Sequence, residues 1–354
     1  MLGVFISGHG LGHLSQVSAV LDELYFMSPD LSLTVFTPLP YPVLEDWINI
    51  PFHHVYGEHD VGMRMRDALN VDWSASLCSY RELHRGWNSR IDNLSQDLVD
   101  YNISLVLSDV PYLPLAAAQE VGIPSVAMCS LNWADVIHHY FPRQKLWIDM
   151  VRRIYQGANE FLVPEPGMVM PWLNNIKRIG PVGRMGCDRN IQLKKYLDIE
   201  ETSCLILVGM GGFDQPLNLA RWPQQWHGRE VYYLIPEISH GQIPNSFIAQ
   251  DLPFLYVDLI ATCEILITKP GYGMFVEAAA AGTSILYVER SGWPDVTSLT
   301  TWVHRVANAV KISRSVLDEG LFLNYADELI EVIKNPPVAL TGAAQAASAL
   351  NRYL

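Results

Sequence analysis

Apolar and polar positions follow a repeating rhythm along this chain. Short, almost wholly apolar runs alternate with longer stretches in which apolar residues recur every three or four positions. The short runs read as buried strands and the long ones as amphipathic helices, the pattern of βαβ units and parallel sheets. On this basis strands fall over 2–7, 33–37, 53–56, 105–109, 125–130 and 160–163, with helices over 13–27, 77–101, 113–121 and 145–156. The rhythm resumes with strands over 204–209, 231–235, 254–257, 265–268, 285–289 and 309–312, and helices over 272–281, 297–305, 317–334 and 341–353. Residues 57–75 lack periodicity and carry several charges, so a loop or lid is expected there.

Between the two series, 163–190 is dense in Pro, Gly and Asn, including Pro164, Pro166, Pro171 and the run Ile179-Gly180-Pro181-Val182-Gly183, which marks an irregular connection. The chain therefore divides into residues 1–180, 181–335 and 336–354. The last is a helix beyond Asn335-Pro336-Pro337 that can pack back on the first unit. The expected fold is α/β, two facing Rossmann-like domains with parallel sheets and a cleft between them. At 354 residues, 49% hydrophobic, the chain is long enough to give each domain its own core.

Charge narrows the functions. Lys and Arg number 24 against 37 Asp and Glu, a net charge of −13. Such a chain lacks the broad basic face that nucleic acid or an anionic membrane requires, although a local basic pocket for a diphosphate stays open. No apolar run reaches the ~20 residues of a membrane span, and no basic leader precedes the first strand, so a cytoplasmic protein is expected. Cys78, Cys129, Cys187, Cys204 and Cys263 form no CxxC pair and no zinc spacing, which suits reduced thiols.

Candidate chemistry gathers where strands end. The first strand runs into Gly8-His9-Gly10-Leu11-Gly12-His13. Glycines between a strand and a helix let backbone N–H groups approach a polar or anionic ligand at the helix N-terminus. Their every-second spacing is not GxGxxG, and the second strand closes on Thr37-Pro38 without an acidic residue for a ribose, so a nicotinamide enzyme is discounted. A tight turn with a satisfied histidine is the plainer alternative. At a helix start the charged form of His13 is disfavoured by the dipole, leaving a neutral imidazole able to accept a proton. Asp109, closing strand 105–109, is placed to hold the second ring nitrogen or else to cap the helix that follows. His9 is a second candidate for the base.

In the second half, strand 265–268 meets Lys269-Pro270-Gly271-Tyr272-Gly273 and then an alanine-rich helix carrying Glu277. Gly271 and Gly273 free the turn, so helix N–H groups can face a diphosphate. Glu277, one turn in, can accept from both hydroxyls of a ribose; in the plainer reading it faces solvent. Gly211 and Gly212 follow another strand and can add N–H groups from the opposite side. Beyond strand 285–289, Arg290 is a counter-charge for phosphate and Asp295 a reader of sugar hydroxyls. The aromatic segments 132–141 and 222–226 can stack on sugars or serve as core and rim.

In these blocks, together with Ser108-Asp109-Val110 and Val121-Gly122-Ile123-Pro124-Ser125-Val126, the chain resembles GT-B glycosyltransferases. Similar members are the bacterial N-acetylglucosaminyltransferase of peptidoglycan synthesis and the UDP-glycosyltransferases; the glycosyltransferase-like N-terminal region of plant L-arabinokinases is similar too. The block ending in Gly282, five residues after Glu277, is the most specific. The resemblance implies a GT-B fold whose first domain holds the acceptor, with His13 as base and Asp109 as its partner. It implies a UDP-like nucleotide-sugar on the second domain, with Glu277 at the ribose and Val257 against the base edge. Gly271, Tyr272 and Gly273 would take the diphosphate, with Gly12, Gly211, Gly212, Arg290 and Asp295 completing the donor site. No metal and no cofactor beyond the nucleotide-sugar is implied, in keeping with the absence of a DxD motif. The first loop departs from the peptidoglycan enzyme's GGTGGH form, and its membrane-docking patch has no counterpart, so a soluble acceptor is expected. No GxxxxGK[ST] loop occurs, and sugar kinase activity is not expected. Transfer of a sugar from a UDP-like donor is the leading expectation. A nucleotide-sugar epimerase and a non-catalytic sugar-nucleotide sensor are the alternatives on the same fold.

Overall fold

The computed structural model describes residues 1–354 apart from 68, 211–216, 218, 238–242, 291, 331–334 and the side chain of Ile330. The first half contributes strands β1 (Leu2–Ile6), β2 (Leu33–Thr37), β3 (His53–Tyr56), β4 (Leu105–Asp109), β5 (Ser125–Met128), β6 (Glu160–Pro164) and β7 (Ile176–Ile179). They form one parallel sheet in the order β3-β2-β1-β4-β5-β6-β7. The second half contributes β8 (Cys204–Gly209), β9 (Gln225–Trp226), β10 (Arg229–Ile235), β11 (Ser246–Ile248), β12 (Ile265–Thr268), β13 (Ser284–Val288) and β14 (Ala309–Ile312). Its parallel order is β11-β10-β8-β12-β13-β14, with β9 antiparallel to β10. Every residue of β1, β4, β5, β8 and β12 is buried, which is why these strands read as unbroken apolar runs.

The helices of the first half are α1 (Leu11–Met27), α2 (Tyr41–Trp47), α3 (Trp73–Arg85), α4 (Trp87–Asp100), α5 (Leu113–Glu120), α6 (Trp133–Tyr140) and α7 (Lys145–Gly157). Those that follow are α8 (Asn190–Tyr196), α9 (Tyr256–Thr262), α10 (Tyr272–Ala281), α11 (Val296–Val306), α12 (Arg314–Asp318), α13 (Leu323–Ile330) and α14 (Gly342–Leu350). In each sheet the winding reverses once, between β1 and β4 and between β8 and β12. Loops leaving the carboxyl ends of such neighbours splay apart and open a crevice. Both candidate loops stand at these two reversals.

Three of the expected elements take another form. The helix expected over 77–101 is two, α3 and α4, parted at Gly86, which leaves the helical region at φ −94°, ψ 18°. The helix expected over 317–334 breaks at Gly320, whose φ of +72° only glycine adopts without strain and whose missing Cβ makes room for the Arg221 carbonyl. Residues 254–257 are not a strand, because α9 begins at Tyr256; the edge strand is the shorter β11. Its residues are only half-buried, so no apolar run announces it.

Helix α14 packs along α1. Ala343, Ala346, Ala347 and Leu350 share one core cluster with Val17, Val20, Leu21 and Leu24. The approach depends on Gly180 and Gly342: a Cβ on Gly180 would meet Thr341, and one on Gly342 would meet the Gly180 carbonyl. The Gly342 N–H donates to the Pro181 carbonyl at 2.9 Å, and Gln345 accepts from the Gly180 N–H at 2.8 Å.

Candidate functional site

At the first reversal, β1 gives way to a turn whose Gly10 caps α1 at φ +86°, a conformation suited to glycine. Gly12 is exposed, with open space where a side chain would stand. His13, in the first turn of α1, is 6% exposed and its Nδ1 lies 2.9 Å from Oδ1 of the fully buried Asp109 at the end of β4. Asp60, from the loop after β3, accepts from the Trp133 indole N–H at 2.8 Å. Burial works against charge on His13, but Asp109 first, then Asp60 and Asp295, outweigh it and raise its proton affinity. The helix dipole, which favours the neutral imidazole, is thus opposed by three carboxylates. Burial also pushes the Asp109 carboxyl up, against the pull of the His13 imidazole. His9 lies close enough for the charge of His13 to reach it. Burial, with the charges of His13, Arg290 and Lys269, holds it down at about 3, so it stays a neutral ring, stacked 5.4 Å from Trp293.

At the second reversal, β12 leads through Lys269 into α10, capped by Gly271 with no side-chain bond. Among the described residues only the Lys269 carbonyl oxygen comes within 4 Å of where a Cβ on Gly271 would stand. Lys269 is 6% exposed, and burial followed by the charge of Arg290 brings it down to about 7. Arg290 is 8% exposed and lies 4.2 Å over the Trp293 ring. Burial lifts the Asp295 carboxyl to about 6 against the pull of Arg290. Among the described residues, three buried atoms here find no hydrogen-bond partner: Arg290 Nε, Asp295 Oδ1 and Asp109 Oδ2.

The two reversals meet. Ser15 of α1 donates to Glu277 Oε1 of α10 at 3.2 Å, and Gly273 of α10 lies beside the same hydroxyl. Glu277 is buried and does not face solvent; burial pushes it up to about 7 against the pull of Ser15 and Arg184. Across the opening, Trp293 joins the core of the first half, and Tyr140 donates to the Gly292 carbonyl at 2.5 Å.

Two further expected residues have contacts of their own. The Tyr272 hydroxyl accepts from the Val182 N–H at 2.9 Å and donates to the Glu165 carbonyl at 3.0 Å, so its ring holds the connection between the halves. Val257 stands in the first turn of α9, its carbonyl against Gly186. Gly211 and Gly212 lie outside the described residues. Sequence reasoning missed Asp60, Cys129, Trp293 and Lys269 as parts of the site. Lys269 had a signal, since it ends a strand ahead of the glycine turn; the others are brought in only by tertiary packing. Among the described residues, His13, Asp109 and Cys129 are the group whose ligand atoms all lie within 4.8 Å of one another. Burial raises the Cys129 thiol well above its ordinary value, which keeps it protonated and a poor ligand.

The fold so built is the two-sheet GT-B architecture of glycosyltransferases. It is similar, over 100% of this chain and 99% of the other, to the glycosyltransferase of kitacinnamycin at TM-score 0.62 and 14% identity. UGT89C1 of Arabidopsis thaliana, solved with quercetin, matches at TM-score 0.61 and 14% identity over 99% of this chain and 94% of that one. UGT2 of Phytolacca americana, solved with UDP-2fluoro-glucose and pterostilbene, matches at TM-score 0.59 and 13% identity over 99% and 93%. At such identities the likeness speaks for the fold alone. Among curated proteins, L-arabinokinase of Arabidopsis thaliana is 26% identical over 340 residues, 93% of this chain, and the chain spans 32% of that protein. No protein-family model matches. Among the described residues no helix is long and apolar enough to cross a membrane.

Proposed function

We propose that this chain is a glycosyltransferase that moves a sugar from a UDP-linked donor to a small soluble acceptor. In this reading residues 1–180 hold the acceptor and 181–335 the donor, with 336–354 returning to the first unit. The observation that carries it is the set of unpaired buried groups around one imidazole. Among the described residues Arg290 Nε finds no acceptor, and Asp295 Oδ1 and Asp109 Oδ2 find no donor. Leaving such groups unpaired costs free energy that a ligand can recover. A ligand with an anionic diphosphate and several hydroxyls supplies both kinds of partner.

The chemistry follows from the geometry. His13, held by Asp109, takes the proton from the acceptor hydroxyl as its oxygen attacks the anomeric carbon. The bond from that carbon to the diphosphate oxygen breaks, and the electron pair leaves with UDP. The first-turn N–H groups of α10, Lys269 and Arg290 stabilise the charge that develops there. Attack opposite the leaving group inverts the anomeric configuration. Glu277 trades its Ser15 contact for the ribose hydroxyls, and Val257 lies toward the base. UDP and UDP-2fluoro-glucose are bound by neighbours of the same fold, which supports a UDP donor here. No metal is assigned a role.

The test is a panel of nucleotide sugars. Release of free UDP in the presence of an acceptor supports the reading. A changed sugar with the nucleotide intact points to an epimerase, and thermal stabilisation without turnover points to a sensor; either result overturns it.

A further inference from the structure

Between α11 and the β13–β14 edge lies a cavity of about 350 Å³. Its lining includes Pro270 and Arg290 from the loops already described but not Gly271, Gly273 or Glu277. We propose that this cavity binds a small anionic ligand that carries one phosphate group, separate from the nucleotide-sugar of the cleft.

Arg290 is the first reason. Its guanidinium is 8% exposed and Trp293 covers one face at 4.2 Å; with Nε left to the diphosphate of the cleft, the terminal nitrogens are the ones assigned to this cavity. A guanidinium stacked on a ring presents its remaining donors at the edge, in a fork that matches phosphate oxygens. The rest of the lining completes the charge balance. Lys311 and His304 bring further donors, and Tyr287 Oη lies 2.8 Å from His304 Nε2. Glu289, the carboxylate in the lining, is 3.1 Å from Lys311 Nζ, which leaves the cavity without net negative charge. The Thr300 hydroxyl donates to the Val296 carbonyl at 2.8 Å and so turns its lone pairs outward as acceptors for a ligand hydroxyl. The volume lies near the small end of ligand pockets, ~300–1,000 Å³, which suits a phosphate monoester of a small polyol or inorganic phosphate alone. Because Arg290 and Lys269 repel one another, an anion seated here also relieves a cost in the neighbouring cleft.

Calorimetric titration with inorganic phosphate and with glucose 6-phosphate, at constant ionic strength, tests this. Both probes are expected to bind wild type and Glu277→Gln alike, and at least about tenfold more weakly to Lys311→Gln and to His304→Gln. Lys311 is solvent-exposed, so its variant keeps the fold even if the histidine variant does not. Tighter binding of the sugar phosphate would assign the site to a polyol monoester, and equal binding to free phosphate; either supports the proposal. Absence of binding at millimolar concentration overturns it, as does binding that survives both cavity variants or disappears in Glu277→Gln. The UDP-release assay reads the cleft separately, so failure at one place leaves the other standing.

Discussion

The reversal in the first sheet is lined by an imidazole among carboxylates, His13 with Asp109 and Asp60, whereas the reversal in the second is lined by the cations Lys269 and Arg290. Both are strand-to-helix turns rich in glycine, and both lie at the place where a parallel sheet opens. The backbone is therefore shared and the side chains at the strand ends decide the chemistry. Carboxylates raise proton affinity at His13, while a neighbouring cation and burial lower it at Lys269. In the proposed reading one turn handles a proton and the other receives an anion.

Predictions that separate the two turns run from large effects to small. His13→Ala should lower turnover by a factor on the order of 10²–10⁴ while leaving UDP affinity within about twofold of wild type. A UDP-release assay beside calorimetry reads both, and a parallel loss of affinity would merge the two roles. Lys269→Met should do the reverse, weakening UDP by roughly tenfold to a hundredfold, the worth of a charge-assisted hydrogen bond. Lys269 at about 7 is partly deprotonated near neutral pH, and a diphosphate would restore its proton. Binding should thus take up protons at pH 7–8, seen as a heat that varies with buffer ionisation enthalpy and vanishes in Lys269→Met.

Asp109→Asn tests the first turn by pH. The base form of His13 is available only above its raised pKa, so removal of the carboxylate should move the acid limb of the rate profile to lower pH and reduce the plateau. An acid limb that stays in place would detach Asp109 from the imidazole. The smallest effect concerns Glu277. Its folded pKa of about 7 stands above the ordinary 4.5, so its contribution to stability is present below about 4.5 and lost as pH rises through about 7. Glu277→Gln should melt higher than wild type above pH 7, by roughly 1–3 °C, with no gain at pH 4.

The elements nearest the site were the easiest to read from residues alone. β1, β4, β8 and β12 are buried on both faces, so their apolar runs have no other explanation. β7 and β11 escaped because edge strands keep polar, half-exposed residues, and β7 also sits inside the Pro-rich connection. His13 and Asp109 could be paired on paper because each stands at the carboxyl end of an adjacent strand. The charge state of that pair could not, since it depends on Asp60 and Asp295 arriving from loops 47 and 282 residues farther along (60 against 13 and 295 against 13). Tyr272 shows a second use of one residue: its place in the glycine block announced a turn, but not that its hydroxyl would bond the backbone of Val182 and Glu165.

The docking of α14 on α1 ties the order of synthesis to the order of folding. The ribosome releases β1 and α1 more than 300 residues before Ala343, Ala346 and Leu350 arrive to cover that flank. Until then the face of α1 that meets α14 stays wet, a natural foothold for a chaperone. A fragment ending near the connection would keep it wet permanently and should be the form that aggregates.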